Sequence, residues 1–278
     1  MNAFEKMIHF LQAEAEAPET FGVFHIIAFA VIMAAAVLLC LKFRDCDAKT
    51  YRRIVLAAWI VMVICEIYRE LVFSMDVEDG VAVWDYAWYQ FPFQLCATPL
   101  YVFPLVALLP EGKLHDAVMF YVATFAFFGG LVVCIYPGDV FCDYIGINYQ
   151  SLLHHGLQVI IGALTIVYNR NRYLHKHYFY AVAVFAALLS VALVLDVVGY
   201  HVLVSNGMDD TFNMFFISPY FECTLPILDT VYTAVPYPVF LAIYVLGFML
   251  VSAIIFYTSR FIINKAGSAK CSLKTKAA

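Results

Sequence analysis

The sequence has few charged residues: Asp, Glu, Lys and Arg make up 13% of its 278 residues, against roughly 25% in ordinary soluble domains. Hydrophobic residues reach 64%, which is more than one soluble core of this length can bury. This composition excludes a soluble enzyme and a disordered protein. The 21 acidic residues outnumber the 16 basic ones, so no basic face and no nucleic-acid partner are expected. The sequence therefore predicts an all-α integral membrane protein.

Seven apolar segments are long enough to cross a bilayer, for which ~20 residues are needed. None shows the alternating polarity of a barrel strand, so each is predicted to be a helix, which satisfies its own backbone hydrogen bonds in lipid. We expect a single membrane domain over residues 1–278, a seven-helix bundle. Its predicted spans are residues 21–41, 54–75, 88–109, 117–136, 149–168, 178–204 and 235–263.

Lys and Arg are absent from every second loop between these segments. The loops after the second, fourth and sixth segments contain acidic but no basic residues. All basic residues except Lys6 and Arg69 fall in the other loops, at the C-terminal end of the last segment or in the tail that follows it. Basic residues collect on the cytoplasmic side of a membrane. The N-terminus is therefore predicted to lie outside and the C-terminus inside, and a plasma membrane fits this asymmetry.

A small set of polar residues remains inside the predicted spans, and their cost in lipid makes them functional candidates. At 1.5 Å per residue, Cys96 and Asp196 lie about 12 Å, Glu66 roughly 13 Å and His155 roughly 9 Å below the outer ends of their spans. Four helices thus contribute to one polar layer in the outer half of the bilayer. This layer consists of Glu66, Arg69, Glu70, Gln94, Cys96, His154, His155 and Asp196.

Helical spacing within two spans agrees with this layer. Glu66, Arg69 and Glu70 share one helix face, and a second face carries Gln150, His154 and Gln158 at intervals of four residues. Such stripes point at protein or water rather than at lipid. The alternative is a structural role, in which these side chains tie transmembrane helices together.

The sequence lacks the motifs of several common cofactor sites. No CxxC pair occurs among the eight cysteines, so a zinc or redox centre is unsupported. The last predicted span contains no Lys, which excludes a retinal Schiff base there. His25, His154, His155 and His201 offer no pair at i, i+4, so a haem or metal site is weakly supported. We expect no cofactor and no metal. A disulfide between Cys142 and Cys223, both in predicted outer loops, stays open.

Six short motifs in order along the chain carry a resemblance to a known family. They are FGVFHIIAF, CEIYRELVFS, FQLC, QSLLHHG, FNMFFISP and VPYPVFL, from about His25 to about Leu241. Together they resemble the YwaF-like integral membrane proteins, a family that includes vertebrate transmembrane protein 164.

The resemblance implies an acyltransferase or transacylase of phospholipids that needs no acyl-CoA and depends on one Cys and one His. The matching residues are Cys96 and a histidine of HHG, with His155, directly before Gly156, favoured over His154. Gln94 stands where many relatives have His. Membrane phospholipids would be both donor and acceptor.

A Cys–His scheme assigns supporting roles to further polar residues, most of them in the layer. Glu66 or Asp196 would orient the imidazole, and Arg69, Gln94 or Asn213 would stabilise the oxyanion. The longest predicted loop, residues 205–234, contains the run FNMFFISPYF and would fold back over the site as a lid.

Other functions remain open at this point. With water as the acceptor, the same site would act as a phospholipase-like hydrolase. A solute transporter or proton-coupled channel would use Glu66, Arg69 and Asp196. A receptor-like or scaffold protein would use the polar layer as a ligand pocket.

Overall fold

The computed structural model describes residues 3–208 and 210–276, with the side chains of all of these except Glu78 and residues 266–276. The described chain is mainly α-helical, with one small hairpin. Part of the charge asymmetry rests on residues outside this description, namely Asp209 and the side chains of Glu78, Lys270, Lys274 and Lys276.

Helices follow one another along the chain with short connections. They are α1 (Ala3–Leu11), α2 (Val23–Phe43), α3 (Ala48–Ser74), α4 (Pro99–Leu108), α5 (Lys113–Tyr121), α6 (Phe127–Ile135), α7 (Ile145–Tyr168), α8 (His175–Ser205), α9 (Leu228–Ala234) and α10 (Tyr237–Lys276). A π-helical turn, Val122–Ala126, joins α5 and α6 into one continuous rod. Strands β1 (Met75–Glu78) and β2 (Val81–Trp84) pair antiparallel, with Met75 opposite Trp84.

Local signals explain where several of these helices begin. The Asp47 side chain accepts a hydrogen bond from the Thr50 amide at 2.7 Å and caps the start of α3. That amide also lowers the pKa of the Asp47 carboxyl below its ordinary value, because it favours the charged form. Pro99 occupies the first turn of α4, and Pro236 directly precedes α10, where a missing N–H costs nothing.

Among the described residues, five helices are long and apolar enough to cross a membrane: α2, the α5–α6 rod, α7, α8 and Tyr237–Lys265 of α10. They coincide with five of the predicted spans, so the prediction of an all-α membrane protein is confirmed at that level. Helix α3 has 27 residues, but Glu66, Arg69 and Glu70 interrupt its apolar run. The count of seven spans and the orientation stay predictions.

The prediction of one continuous helix over residues 88–109 is wrong, and whether this segment crosses the membrane stays a prediction. The chain there forms two 3-10 turns, Trp88–Gln90 and Leu95–Ala97, before the ten-residue α4. Together with the second turn, α4 gives an apolar helical stretch over Leu95–Leu108, which extends about 21 Å and is shorter than a ~30 Å hydrocarbon core. Pro92 and Pro99 account for the break, because proline removes a backbone donor and clashes with the preceding turn.

Side chains bond the backbone carbonyls along this broken segment, as irregular backbone at membrane depth requires. Arg69 Nη2 donates to the Gln90 carbonyl at 2.5 Å, and the Tyr101 hydroxyl donates to Pro92 at 2.8 Å. The Trp59 indole N–H donates to Leu100 at 2.8 Å. Part of the polar layer therefore has a structural role, which the alternative interpretation of the sequence anticipated.

Helix α7 and the α5–α6 rod lie at the centre of the bundle. Buried residues make up 67% of the rod's apolar stretch and 61% of that of α7, against 17% for α2 and 22% for α10. Two glycines allow the close contact between α6 and α7: a Cβ built on Gly130 would lie 2.7 Å from the His155 carbonyl oxygen, and one on Gly162 would lie 2.6 Å from Phe127 Cβ. Close approach through small residues is typical of membrane helices.

Loops that differ in charge lie at opposite ends of the bundle. At one end Arg170 donates to the Arg44 carbonyl and pairs with Asp45, and Arg172 pairs with Asp116. At the other end, the Trp88 amide donates to Asp210 at 2.8 Å, and the Ala15 amide donates to the Asp143 carbonyl at 2.8 Å. The predicted inner loops thus contact one another at one end of the bundle, and the predicted outer loops contact one another at the other end.

Candidate functional site

Cys96 lies in the 3-10 turn Leu95–Ala97, at the point where the broken segment turns into α4. The turn follows Gln94, whose backbone is extended (φ −77°, ψ 162°). Helix α6 passes close by, since a Cβ built on Gly129 would lie 3.9 Å from Cys96 Cα. Cys96 is half-buried, whereas Cys65 and Cys134 are buried. The described cysteines are free thiols, Cys142 and Cys223 included.

Two side chains of α7 hold the backbone of Cys96. The carbonyl oxygen of Cys96 accepts hydrogen bonds from His154 Nε2 at 3.1 Å and from Gln158 Nε2 at 2.6 Å. His154 and Gln158 are one helical turn apart and both are buried, so they reach the same oxygen from one face. The sequence prediction noted this face but did not place Gln158 at the site.

The hydrogen bonds fix the proton of each histidine on a different ring nitrogen. A carbonyl oxygen only accepts, so His154 carries its proton on Nε2. His155 Nδ1 lies 2.7 Å from the Ser151 carbonyl oxygen and carries the proton for the same reason. The lone pairs are then on Nδ1 of His154 and Nε2 of His155, and both of these buried nitrogens lack a hydrogen-bond partner among the described residues.

Cys96 lines a cavity of about 700 Å³, within the range of small-molecule sites, ~300–1,000 Å³. The cavity lies between the Cys96 turn, α6, the loop before α9, and α10. No charged side chain lines it within the described part of the chain. Tyr244 donates its hydroxyl to the Phe215 carbonyl and Gln94 donates its amide nitrogen to the Asn213 carbonyl, each at 2.8 Å. The amide oxygen of Gln94 has no hydrogen-bond partner among the described residues. The cavity therefore suits a hydrocarbon chain.

Within the predicted lid, the segment over residues 212–218 is largely buried in the bundle. Met214 and Phe215 have no exposed surface, and Phe215 and Phe216 line the cavity. Both phenylalanines have positive φ, 55° and 57°, a conformation that costs roughly 1–3 kcal/mol for a residue other than glycine. Bonds from Gln94, Asp196 and Tyr244 to this segment hold it in place.

The predicted supporting residues have definite partners elsewhere. Asp196 Oδ1 accepts from the Met214 amide at 2.5 Å, and Asn213 bonds the backbone of Ser218 and Glu222. Arg69 pairs with Glu66 and Glu70 while it bonds Gln90. No hydrogen bond joins Glu66 or Asp196 to either histidine within the described residues. Of the predicted oxyanion donors, Gln94 alone lines the cavity, with its nitrogen on Asn213.

The described histidines do not gather into a metal site. His25 Nε2 lies 2.9 Å from the Cys134 carbonyl, and His201 lies near Tyr220 at 3.4 Å. In the part of the chain that the structure describes, no three His, Cys, Asp or Glu side chains come together in a way that would hold a metal ion.

Comparison with known proteins gives one match. A family model described as the TMEM164 family matches residues 20–258. No curated protein and no solved structure matches the chain.

Proposed function

Because the chain belongs to the TMEM164 family of membrane proteins, we propose that it is a phospholipid acyltransferase that carries the acyl group as a thioester on Cys96. One observation carries the proposal. Cys96 is half-buried in the wall of an apolar cavity of about 700 Å³, and its carbonyl is bonded by His154. The ring of His155 lies next to that of His154, with centroids 5.4 Å apart, and each of these buried histidines has a ring nitrogen without a hydrogen-bond partner among the described residues. A thiol, a base and a hydrocarbon-lined space are the three elements that acyl transfer from a lipid needs.

His155 is the proposed general base, and His154 is the proposed positioning residue. His154 Nε2 donates its proton to the carbonyl oxygen of Cys96. The lone pair of His154 is on Nδ1, on the opposite side of the ring. His155 keeps Nδ1 on Ser151, which leaves Nε2 to take a proton. An imidazole whose tautomer is fixed by a second hydrogen bond is a suitable base.

The first half-reaction loads Cys96. His155 Nε2 takes the thiol proton, and the thiolate attacks the ester carbonyl carbon of a donor phospholipid. The new C–S bond forms while the ester C–O bond breaks. The leaving alkoxide takes the proton back from the imidazolium, which gives a lysophospholipid and an S-acyl Cys96.

The second half-reaction transfers the acyl group from Cys96 to the acceptor. The hydroxyl of an acceptor lysophospholipid gives its proton to His155 Nε2, and its oxygen attacks the thioester carbonyl carbon. The C–S bond breaks, and the thiolate recovers the proton from the imidazolium. If water replaces the acceptor, the product is a free fatty acid and the protein is a hydrolase.

A transporter built on Glu66, Arg69 and Asp196 has less support. Arg69 is bonded to two carboxylates and a backbone carbonyl, and Asp196 is bonded to the backbone of the folded-in loop. These bonds give the three residues structural roles that need no transported ion.

An acyl-transfer assay in proteoliposomes tests the proposal. The donor is phosphatidylcholine with one isotope-labelled acyl chain, the acceptor is a lysophospholipid with a different head group, and products are followed by mass spectrometry. We expect labelled acceptor with the wild type, none with Cys96→Ser, and near wild-type transfer with the control Cys65→Ser, since Cys65 is buried on α3 and does not line the cavity.

Two results change the assignment. Labelled free fatty acid without labelled acceptor would identify a hydrolase at the same site. Transfer that is unchanged in Cys96→Ser would overturn the proposed role of Cys96.

A further inference from the structure

The cavity beside Cys96 reaches the lipid-facing surface of the bundle at Gly247 on α10. Gly247 is exposed and lines the cavity, and a Cβ built there would meet no described atom within 4 Å outside its own stretch of helix. Its neighbours Leu246 and Leu250 are 64% and 63% exposed, so this stretch of α10 faces lipid if the helix spans the membrane. A glycine inside a helix costs roughly 0.5–1 kcal/mol relative to alanine. Here it leaves a gap in the wall.

The opposite rim of this gap is also exposed. Val132 on α6 is 44% exposed and Ile227 before α9 is 81% exposed, and both line the cavity. The residues of the inner wall are largely buried: Gly129 is buried, Phe215 has no exposed surface and Cys96 is half-buried. One continuous space therefore runs from the surface of the bundle to the Cys96 turn.

An aromatic pair adds to the cavity wall. Phe128 of α6 and Phe248 of α10 both line the cavity, and their ring centroids are 5.8 Å apart in an edge-to-face arrangement. Phe248 also stacks on Tyr244 at 4.5 Å. The rings strengthen the contact between α6 and α10 next to Gly247, so the gap at that residue is a local one.

We infer that Gly247 forms a side opening through which a single acyl chain of a bilayer phospholipid enters the cavity and reaches Cys96. The chemistry of the lining favours this occupant, because no charged side chain lines the cavity in the described part of the chain and the wall is almost entirely apolar, so a charged ligand would lose its hydration without an ionic partner. The part of the inference that concerns reaction at Cys96 rests on the proposed function. Occupancy of the cavity does not, and it can be measured without catalysis.

Photo-cross-linking in phosphatidylcholine vesicles tests this inference. A trace of phosphatidylcholine with a diazirine in the middle of one acyl chain is the probe, and the cross-linked residues are mapped by peptide mass spectrometry. We expect adducts on the less exposed cavity residues Val133 and Leu225. In Gly247→Phe these adducts fall by about tenfold, because the ring takes up the space of the opening.

Matched controls separate blockage from misfolding. Gly247→Ala adds a methyl group to open space and keeps the adducts, and Leu246→Phe places a ring on the adjacent exposed position, which does not line the cavity. Undiminished cavity adducts in Gly247→Phe would overturn the inference, as would an equal loss in Leu246→Phe.

The cross-linking result and the acyl-transfer assay, taken together, distinguish the two proposals. If the adducts depend on Gly247 while the wild type transfers no acyl group, the opening stands and the proposed function fails. If the wild type forms an acyl-enzyme but Gly247→Phe cross-links normally, the proposed function stands and the opening is wrong.

Discussion

At the residue scale, two adjacent histidines of α7 differ in what they bond. His154 and Gln158 both donate hydrogen bonds to the Cys96 carbonyl. His155 donates instead to the Ser151 carbonyl of its own helix. Sequence reasoning found both histidines and Cys96, because ionisable groups are rare in apolar spans and stand out. It left the choice between the histidines to a resemblance, since side-chain partners on other helices are not visible in a one-dimensional pattern.

The different bonding predicts different effects of the two alanine variants on thiol reactivity. A general base contributes typically ~10²–10⁴-fold, so His155→Ala should lower the rate at which N-ethylmaleimide labels Cys96 by about 10² or more. His154→Ala should have a smaller effect, because Gln158 still bonds the Cys96 carbonyl. Labelling is measured for each cysteine by peptide mass spectrometry, with Cys65 as the internal control.

A larger loss in His154→Ala than in His155→Ala would transfer the role of base to His154. Equal, slow labelling of Cys96 and Cys65 in the wild type would remove the argument for an activated thiol.

At the scale of elements, the segment over residues 88–109 departs most from the sequence prediction. Its hydrophobicity resembles that of a spanning helix, but Pro92 and Pro99 break it. The estimated depth of Cys96 assumed a continuous helix and therefore does not hold. Cys96 still meets α7, because His154 and Gln158 bond the carbonyl at the break.

The hairpin and the folded-in loop were also beyond sequence reasoning in detail. The strands Met75–Glu78 and Val81–Trp84 are only four residues each, and such short elements give little pattern. The lid prediction came from apolar composition alone; the bonds to Met214 and Asn213 that hold the segment come from α8 and from the broken span.

Close packing of α6 on α7 positions the site, and Gly130 is the residue that permits it. In Gly130→Ala the added Cβ would lie 2.6 Å from Gln158 Cβ and 2.7 Å from the His155 carbonyl oxygen. We expect a destabilisation of about 1–3 kcal/mol from this overpacking, seen as a lower melting temperature in detergent, together with slower labelling of Cys96.

Gly247→Ala is the control for this prediction, because its added Cβ meets open space. A Gly130→Ala protein that melts like Gly247→Ala would show that α6 and α7 separate without cost, contrary to the packing described above.

At the scale of the whole molecule, the scarce charges divide the loops into two groups. The structure gathers the predicted inner loops at one end and the predicted outer loops at the other. Sequence reasoning reached this division because the bilayer imposes one rule on every loop at once. The orientation that follows from it is open to a direct test.

Cysteine labelling on intact cells tests the orientation. In a background with Cys46→Ser, Cys142→Ser and Cys271→Ser, Asp139→Cys should react with a membrane-impermeant maleimide from outside. Glu111→Cys should react only after permeabilisation, because its loop leads into Lys113 at the start of α5 and belongs to the predicted basic side. The reverse pattern would invert the predicted orientation and move the cavity to the inner half of the bilayer.

The central claim is that Cys96 carries an acyl group, and the most direct measurement is the mass of the acyl-enzyme. The protein is incubated with donor phospholipid without acceptor and digested, and the Cys96 peptide is analysed by mass spectrometry. The account predicts an adduct of one fatty acyl mass that neutral hydroxylamine removes and that Cys96→Ser lacks. The absence of any adduct in a protein that transfers acyl groups, or an equal adduct in Cys96→Ser, would contradict it.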